Sequence, residues 1–182
     1  MDDHRAAWTS DEPVIAVDGG DVVVGSVSRT EAHGEQSVLH RAFSTLLYDR
    51  EGRVLICRRS AIKRLWPLVW ADSCAGHPLP GEDTKAAAER RVFEELRCRA
   101  NLTPVGTFRY RAAWGDAGYE DELCHGFIGP VCVVDPDPLE IAEVELLTLP
   151  DLRARFAEDP DAYAPWLKGL VELLPDTITR LD

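Results

Sequence analysis

Residues 76–97 read GHPLPGEDTKAAAERRVFEELR. The opening run, from Gly76 to Glu82, is too rich in proline and glycine for a helix: proline lacks the N–H donor and glycine loosens the chain. From position 83 the pattern changes. Asp83 or Thr84 supplies an N-cap oxygen, and Ala88, Val92 and Leu96 recur every four residues along one face. The spacing predicts a long loop followed by a helix over 83–100. That helix carries Arg90, Arg91, Glu94 and Glu95, with Arg91 and Glu95 four apart and therefore on one face.

Around this loop and helix the chain reads mainly as strands. VIAV at 14–17 and DVVVGSVS at 21–28 flank a Gly-Gly turn, and FSTLLYD at 43–49 is followed by REG and RVLICRRS at 53–60. Both are hairpin patterns. WPLVWADSCAGHPLPGE at 66–82 reads as a strand feeding the loop. TFRYRAAW at 107–114, ELCHGFIG at 122–129, PVCVVD at 130–135 and ELLTLP at 145–150 are further strand candidates. DLRARFAEDP and PWLKGLVELL read as two closing helices. Residues 1–13 read as a loose tail and 14–182 as a single domain. The expected class is α+β, a mixed β-sheet core flanked by helices.

Composition narrows the function. The 182 residues are 45% apolar and 29% charged, a globular balance in one domain. No run approaches the ~18 uncharged apolar residues of a membrane helix. The acidic, polar start MDDHRAAWTSDEP is unlike a secretory or transit segment, so a cytosolic address is expected. A net charge of −12 argues against non-specific nucleic-acid binding, which rests on many basic contacts to phosphate. The five cysteines form no CxxC pair and are odd in number, which predicts reduced thiols.

Two constellations stand out. His33, His40 and His77 can join Glu120 and Glu122; strand alternation puts Glu120, Glu122 and Cys124 on one face and Asp121 on the other. Three imidazoles and two carboxylates form an N/O set that suits Zn, Mn, Fe or Co, although scattered surface histidines would give the same spacing. The second constellation is basic. Arg29, Arg58, Arg59, Lys63 and Arg64 are dense for so acidic a chain, and Arg91 lies on the helix. They read either as a solvated patch or as a diphosphate cradle of arginine forks with a glutamate-held Mg²⁺.

Gly76, Glu82, Arg90 and Glu94-Glu95 are similar to the Nudix box, G-x5-E-x7-R-E-U-x-E-E-x-G-U, a loop and helix whose carboxylates hold metal against a diphosphate. Arg91 stands where the box has Glu, and Arg97 where it has Gly. H-x6-H at 33–40, RRSAIKRLWPLVWADSCAGHPLPGE at 58–82, FRYRAA at 108–113, EDELC at 120–124 and PW at 165–166 extend the likeness. Together they resemble the type I isopentenyl diphosphate isomerases, which have the Nudix fold, over about residues 14 to 170.

The resemblance implies a Nudix-like fold and an enzyme that protonates the alkene of an isoprenoid diphosphate. His33, His40, His77, Glu120 and Glu122 fall on that family's divalent-metal ligands, for Zn²⁺ or Mn²⁺. Glu95 falls on the glutamate that helps hold the Mg²⁺ shared with the diphosphate. Arg29, Arg59, Lys63 and Arg91 fall on diphosphate contacts, Tyr110 and Glu122 on the proton-delivering pair, and Trp166 on the indole facing the carbocation. The partner implied is a small isoprenoid diphosphate, with no nucleic acid or membrane, acted on by a monomer or weak homo-oligomer.

One departure bears on the chemistry. Ala75 occupies the family's catalytic cysteine position, Cys74 is its neighbour pointing the other way in an extended segment, and ADSCAGHP replaces a run that more usually reads T-N-S. Moving a double bond needs a proton added on one side and removed on the other, and a methyl group does neither. Four readings stay open. Ala75 is an introduced Cys→Ala change in an isomerase, or the chain is a relative that cyclises or hydrates a longer prenyl diphosphate. Alternatively it is a Nudix diphosphate hydrolase, contradicted by Arg91, or a non-catalytic diphosphate-binding protein. Asp72 is a candidate substitute base from its position alone. His125 is a candidate to reach the pocket, against a surface position; Trp114 and Tyr119 either shape it or cover the core.

Overall fold

The computed structural model describes residues 11–178. Most of the tail expected over 1–13 lies outside the described residues. Residues 11 and 12 are tied down, Asp11 Oδ1 accepting from the Thr30 amide and the Glu12 carbonyl from the Arg29 amide. The elements are β1 (Pro13–Val17), β2 (Val23–Ser28), α1 (Arg29–Ala32), β3 (His40–Tyr48), β4 (Val54–Arg59), β5 (Trp70–Ala71) and β6 (Cys74–Gly76). There follow α2 (Thr84–Leu96), β7 (Thr103–Ala113), β8 (Tyr119–Pro130), β9 (Ile141–Leu147), α3 (Leu149–Glu158) and α4 (Pro165–Glu172). Among the described residues no helix is long and apolar enough to cross a membrane.

The architecture is the expected α+β one, organised about β3. Along one edge β3 pairs in parallel with β8 from His40↔Glu122 to Tyr48↔Pro130. Along the other it meets β1, β6 and β4 in turn, all antiparallel. β8 pairs with β7, and β4 with β5 and β9. Strand alternation then sorts the core into two layers. Leu46, Tyr48 and Ile128 join Trp166, Leu167, Leu170 and Val171 of α4 on one face. Phe43, Leu47 and Phe127 join Ala87, Ala88, Val92 and Leu96 of α2 on the other.

α2 begins as its sequence demands, with the Asp83 side chain accepting from the Ala86 amide at 2.9 Å. It ends four residues earlier than the spacing predicts. Arg97, at the box's glycine position, takes a left-handed conformation with φ of 56° and closes the helix. The strand expected over 130–135 is also corrected: past Pro130 the chain crosses the end of α2 instead. There Asp135 and Asp137 donate their amides to the Leu96 and Glu95 carbonyls at 2.9 and 2.8 Å. Those donors serve the orphan carbonyls of a helix end, so they are not available to a ladder. The same crossing brings Cys132 to Cys98, Cα atoms 5.7 Å apart, and the two form a disulfide. The expectation of five reduced thiols is therefore corrected: Cys57, Cys74 and Cys124 are free and buried.

α4 starts at Pro165, whose missing N–H costs nothing in a first turn. Its Gly169 is needed for contact: a Cβ there would lie 2.5 Å from the Phe108 ring of β7. That close approach seats α4 on the sheet and brings Trp166 over β3.

Candidate active site

Strand register builds the first half of the site. The parallel β3–β8 pairing makes His40 and Glu122 direct neighbours, and alternation turns Glu120, Glu122 and Cys124 to the same face. His33 closes α1, a single turn capped by Ser28, whose Oγ accepts from the Glu31 amide at 3.1 Å. His77 follows β6. The three Nε2 atoms surround one oxygen, Glu122 Oε1, at 3.6 Å for His33, 3.4 Å for His40 and 3.0 Å for His77.

These residues fit a divalent cation. The four ligand atoms lie within 4.8 Å of one another. His40 Nδ1 sits 2.7 Å from the Val38 carbonyl, which can only accept, so Nδ1 bears the proton and Nε2 offers its lone pair. His33 Nε2 is buried with no hydrogen-bond partner. Burial pushes His33 below its ordinary value and His77 down to about 3, favouring the neutral, ligating imidazole. Burial acts to raise the Glu122 carboxyl, but the three histidine side chains gathered around it outweigh burial and hold the group well below its ordinary value.

Glu120 stands outside this cluster of four and is joined to it through Tyr110. The phenol oxygen is 2.7 Å from both Glu120 Oε2 and Glu122 Oε2. A phenol donates one proton, so it donates to one carboxyl and accepts from the other. Burial, then the charge of Glu122, pushes Glu120 up to about 8, which makes it the protonated member. The result is a chain from Glu120 through Tyr110 to Glu122, able to pass a proton along its length. Asp121, on the opposite face, pairs with Arg109 at 2.9 Å.

The carboxylates of the loop and α2 are in a different state. Arg90 grips Glu82 with two bonds of 2.8 and 2.9 Å and reaches Glu94 at 3.2 Å. Arg91 binds Glu94 at 2.8 Å, Glu95, and Glu140 at 3.6 Å. Lys63 also pairs with Glu140. Burial raises the Glu95 carboxyl, with Arg91 and Lys63 pulling the other way.

A cavity of about 530 Å³ joins the two regions. His33, His77, Glu120, Glu122, Tyr110 and Trp166 line it, and so do all four expected diphosphate contacts, Arg29, Arg59, Lys63 and Arg91, with Glu95. Arg64 lines it too, whereas Arg58 turns outward to Glu143 at 2.6 Å. Arg59 fastens the wall by donating to the Trp66 and Leu65 carbonyls at 3.0 and 2.9 Å. Ala75 pairs with Ser44 of β3 and lines the cavity, while Cys74 is buried on the other face beside Phe43, its thiol pushed up by burial.

Trp166 meets Tyr110 at 6.1 Å and Trp66 at 5.4 Å between ring centroids, and its Nε1 donates to Asp72 Oδ1 at 2.9 Å. His125 is outside the cavity and pairs with Asp21 at 2.9 Å. Trp114 packs on Trp66 as part of the core cover. Glu140 and Ser44 were not singled out by sequence. Glu140 lies in a segment without a motif, and Ser44 is the middle of an ordinary strand; only their cross-chain partners reveal them.

The NUDIX domain profile matches residues 38–167. A Nocardia farcinica protein named isopentenyl-diphosphate Delta-isomerase is 46% identical over 163 residues, covering 88% of this chain and 93% of its own. A Frankia alni protein of the same name is 39% identical over 159 residues, covering 86% and 82%. Among solved structures, a Deinococcus radiodurans protein superposes with a TM-score of 0.70 at 24% identity, over 90% of this chain and 100% of its own. The MutT protein of Methanosarcina mazei superposes at 0.61 with 18% identity, over 74% and 91%. These two structural likenesses bear on fold alone.

Proposed function

Because the chain belongs to the isopentenyl-diphosphate Delta-isomerase family of NUDIX-domain proteins, we propose that it acts as an isoprenoid-diphosphate isomerase by protonating the substrate's alkene. The observation that carries this reading is Tyr110, 2.7 Å from two carboxyl groups and lining the same cavity as an indole and four basic side chains. A positioned acid within hydrogen-bond reach of the reacting group is what proton transfer to the alkene requires.

His33, His40, His77 and Glu122, with Glu120 beside them, would hold a divalent ion such as Zn²⁺ or Mn²⁺, and Glu95 would share Mg²⁺ with the diphosphate. The first ion supplies positive charge that sharpens the acidity of the groups around Glu122, and the second neutralises the diphosphate. Arg29, Arg59, Lys63 and Arg91 bind and orient the diphosphate oxygens. Tyr110 and Glu122 then deliver a proton to the terminal alkene carbon. The π pair forms the new C–H bond and leaves a tertiary cation against Trp166. Loss of a proton from the neighbouring carbon, back to the Glu120–Tyr110–Glu122 chain that has just given one up, gives the moved double bond.

Ala75 favours a second outcome on the same intermediate. No acid–base side chain stands at that position to take the second proton, and the cavity of about 530 Å³ falls in the range of drug-sized ligands, larger than a five-carbon diphosphate. A longer prenyl chain would fill it, and its cation would be captured by a second alkene or by water. Hydrolysis fits less well, because Arg90 and Arg91 already engage Glu82 and Glu94.

The test is incubation of the metal-loaded protein with isopentenyl, dimethylallyl, geranyl and farnesyl diphosphates in D₂O. Deuterium in isomerised five-carbon product supports isomerisation. Deuterium in a cyclic or hydrated longer product supports the second outcome. Phosphate release with an unchanged, unlabelled carbon skeleton would refute both.

A further inference from the structure

Asp72 is a buried carboxylate, 2% exposed, that the reaction just described does not use. It sits between β5 and β6, and three donors converge on it. Ser44 Oγ and the Thr45 amide donate to Oδ2 at 2.6 and 3.0 Å, and the Trp166 indole N–H donates to Oδ1 at 2.9 Å. The Thr45 and Trp166 groups are N–H donors with no capacity to accept. Each oxygen of residue 72 must therefore be an acceptor. An asparagine amide in either orientation would set its NH₂ against one of those N–H groups. Burial pushes Asp72 up to about 6, and the three donors work against it in favour of the ionised carboxylate.

The position of this carboxylate ties it to the reacting face. Ser44 is the β3 partner of Ala75, so the hydroxyl that holds Asp72 lies on the same face as the Ala75 methyl. Asp72 and Ala75 line one small cavity of about 30 Å³. On the other side, Trp166 already meets a cation across its ring, the Arg59 guanidinium carbon standing 5.3 Å from the centroid. The indole thus has an anion on its N–H edge and a cation over its face. A carboxylate accepting from the N–H drives electron density into the ring, and its own charge adds attraction for any cation in the low-dielectric pocket.

We infer that Asp72 is a positioning residue for the cationic intermediate: it orients the Trp166 indole and strengthens that ring's hold on positive charge through the N–H bond. The inference rests on the proposed function, in that it needs a cation to form beside Trp166. It also supplies a use for a charge that is costly to bury.

The test compares two ligands on the metal-loaded full chain by calorimetry. One is an alkyl diphosphate with a tertiary ammonium at the position of the tertiary carbon. The other is its uncharged carbon isostere. Wild-type protein is expected to bind the ammonium ligand more tightly. Asp72→Asn should cut that preference at least tenfold, leave the affinity for the neutral isostere within about threefold, and lower kcat with little change in KM. Asp72→Ala offers a second route if the amide disturbs folding: added formate should restore the preference and isosteric formamide should not. An equal loss of affinity for both ligands, rescue by formamide as well as formate, or an unchanged preference in both variants would overturn the inference. Failure of wild-type protein to bind either ligand would overturn the proposed function, and the inference with it.

Discussion

Two acidic regions face one cavity, and they are built in opposite ways. Around Glu122, three imidazoles crowd one carboxylate, and His33 Nε2 is buried without a partner. Along α2 and its preceding loop, Glu82, Glu94 and Glu95 each have an arginine. The first region has donor atoms waiting for a cation and a phenol placed to move a proton. The second has carboxylates whose charge is largely answered within the fold. Under the proposed function, a shared scaffold separates the two tasks: chemistry at the histidines, and anion binding beside the helix.

The largest effect expected from breaking this division comes from Glu122→Gln. It removes the carboxylate at the centre of the histidines and the proton acceptor of Tyr110, and turnover should fall at least ~10³-fold. Metal content, read by elemental analysis, should fall with it. Retained turnover would sink the proton-delivery role.

Next in size is the acid sensitivity of the metal-free protein. His77 is held near 3 in the fold against its ordinary 6.5, mainly by burial. Between these values the unfolded chain binds the extra proton, so stability rises with pH. The contribution is fully present above about 6.5 and is lost as pH falls towards about 3, on the order of 5 kcal/mol. Denaturant unfolding of wild type and His77→Asn across that window should show a shallower slope in the variant. Identical slopes would show that His77 is not kept neutral.

The second region is probed by Arg91→Glu, which restores the acidic residue of the box. It takes a cation from the diphosphate cradle and leaves Glu94 and Glu95 with less compensation. KM for the diphosphate should rise by about tenfold, while kcat changes less. A large fall in kcat with KM unchanged would mean that α2 takes part in the chemical step.

The smallest effect expected is structural. Arg97→Gly relieves a non-glycine residue at φ of 56° and should stabilise the fold by about 1 kcal/mol with activity unaltered, read as a higher melting temperature. A lower melting temperature would show that the Arg97 side chain contributes more than its backbone costs.

The two regions also differed in how far sequence could reach them. The start of α2 was legible because Asp83 and the Ala88–Val92–Leu96 spacing are local signals. The hairpins at 14–28 and 43–59 were legible for the same reason. Its end was not, since arginine gives no local warning of a left-handed turn. Nor was the course of 131–139, whose donors are spent on the carbonyls of a helix far back in the chain. That crossing also makes the Cys98–Cys132 pair, which cysteine counting could not find. Among site residues, alternation alone set Glu120 and Glu122 apart from Asp121. Bringing His40 to Glu122 required a parallel pairing that no short window reveals, and the resemblance supplied it. Asp72 was noticed by position, but its partners Ser44, Thr45 and Trp166 come from two other elements and change its reading from a candidate base to a buried anion under an indole.

The most direct measurement sets the two regions against each other. Metal-loaded wild type, Glu122→Gln and Glu82→Gln are each incubated with isopentenyl and geranyl diphosphates in D₂O, and products are read by mass spectrometry for deuterium and by assay for phosphate. Deuterium in a carbon product from wild type and Glu82→Gln, and none from Glu122→Gln, is the predicted result. Undiminished labelling by Glu122→Gln, or phosphate release by wild type that Glu82→Gln abolishes, would contradict it.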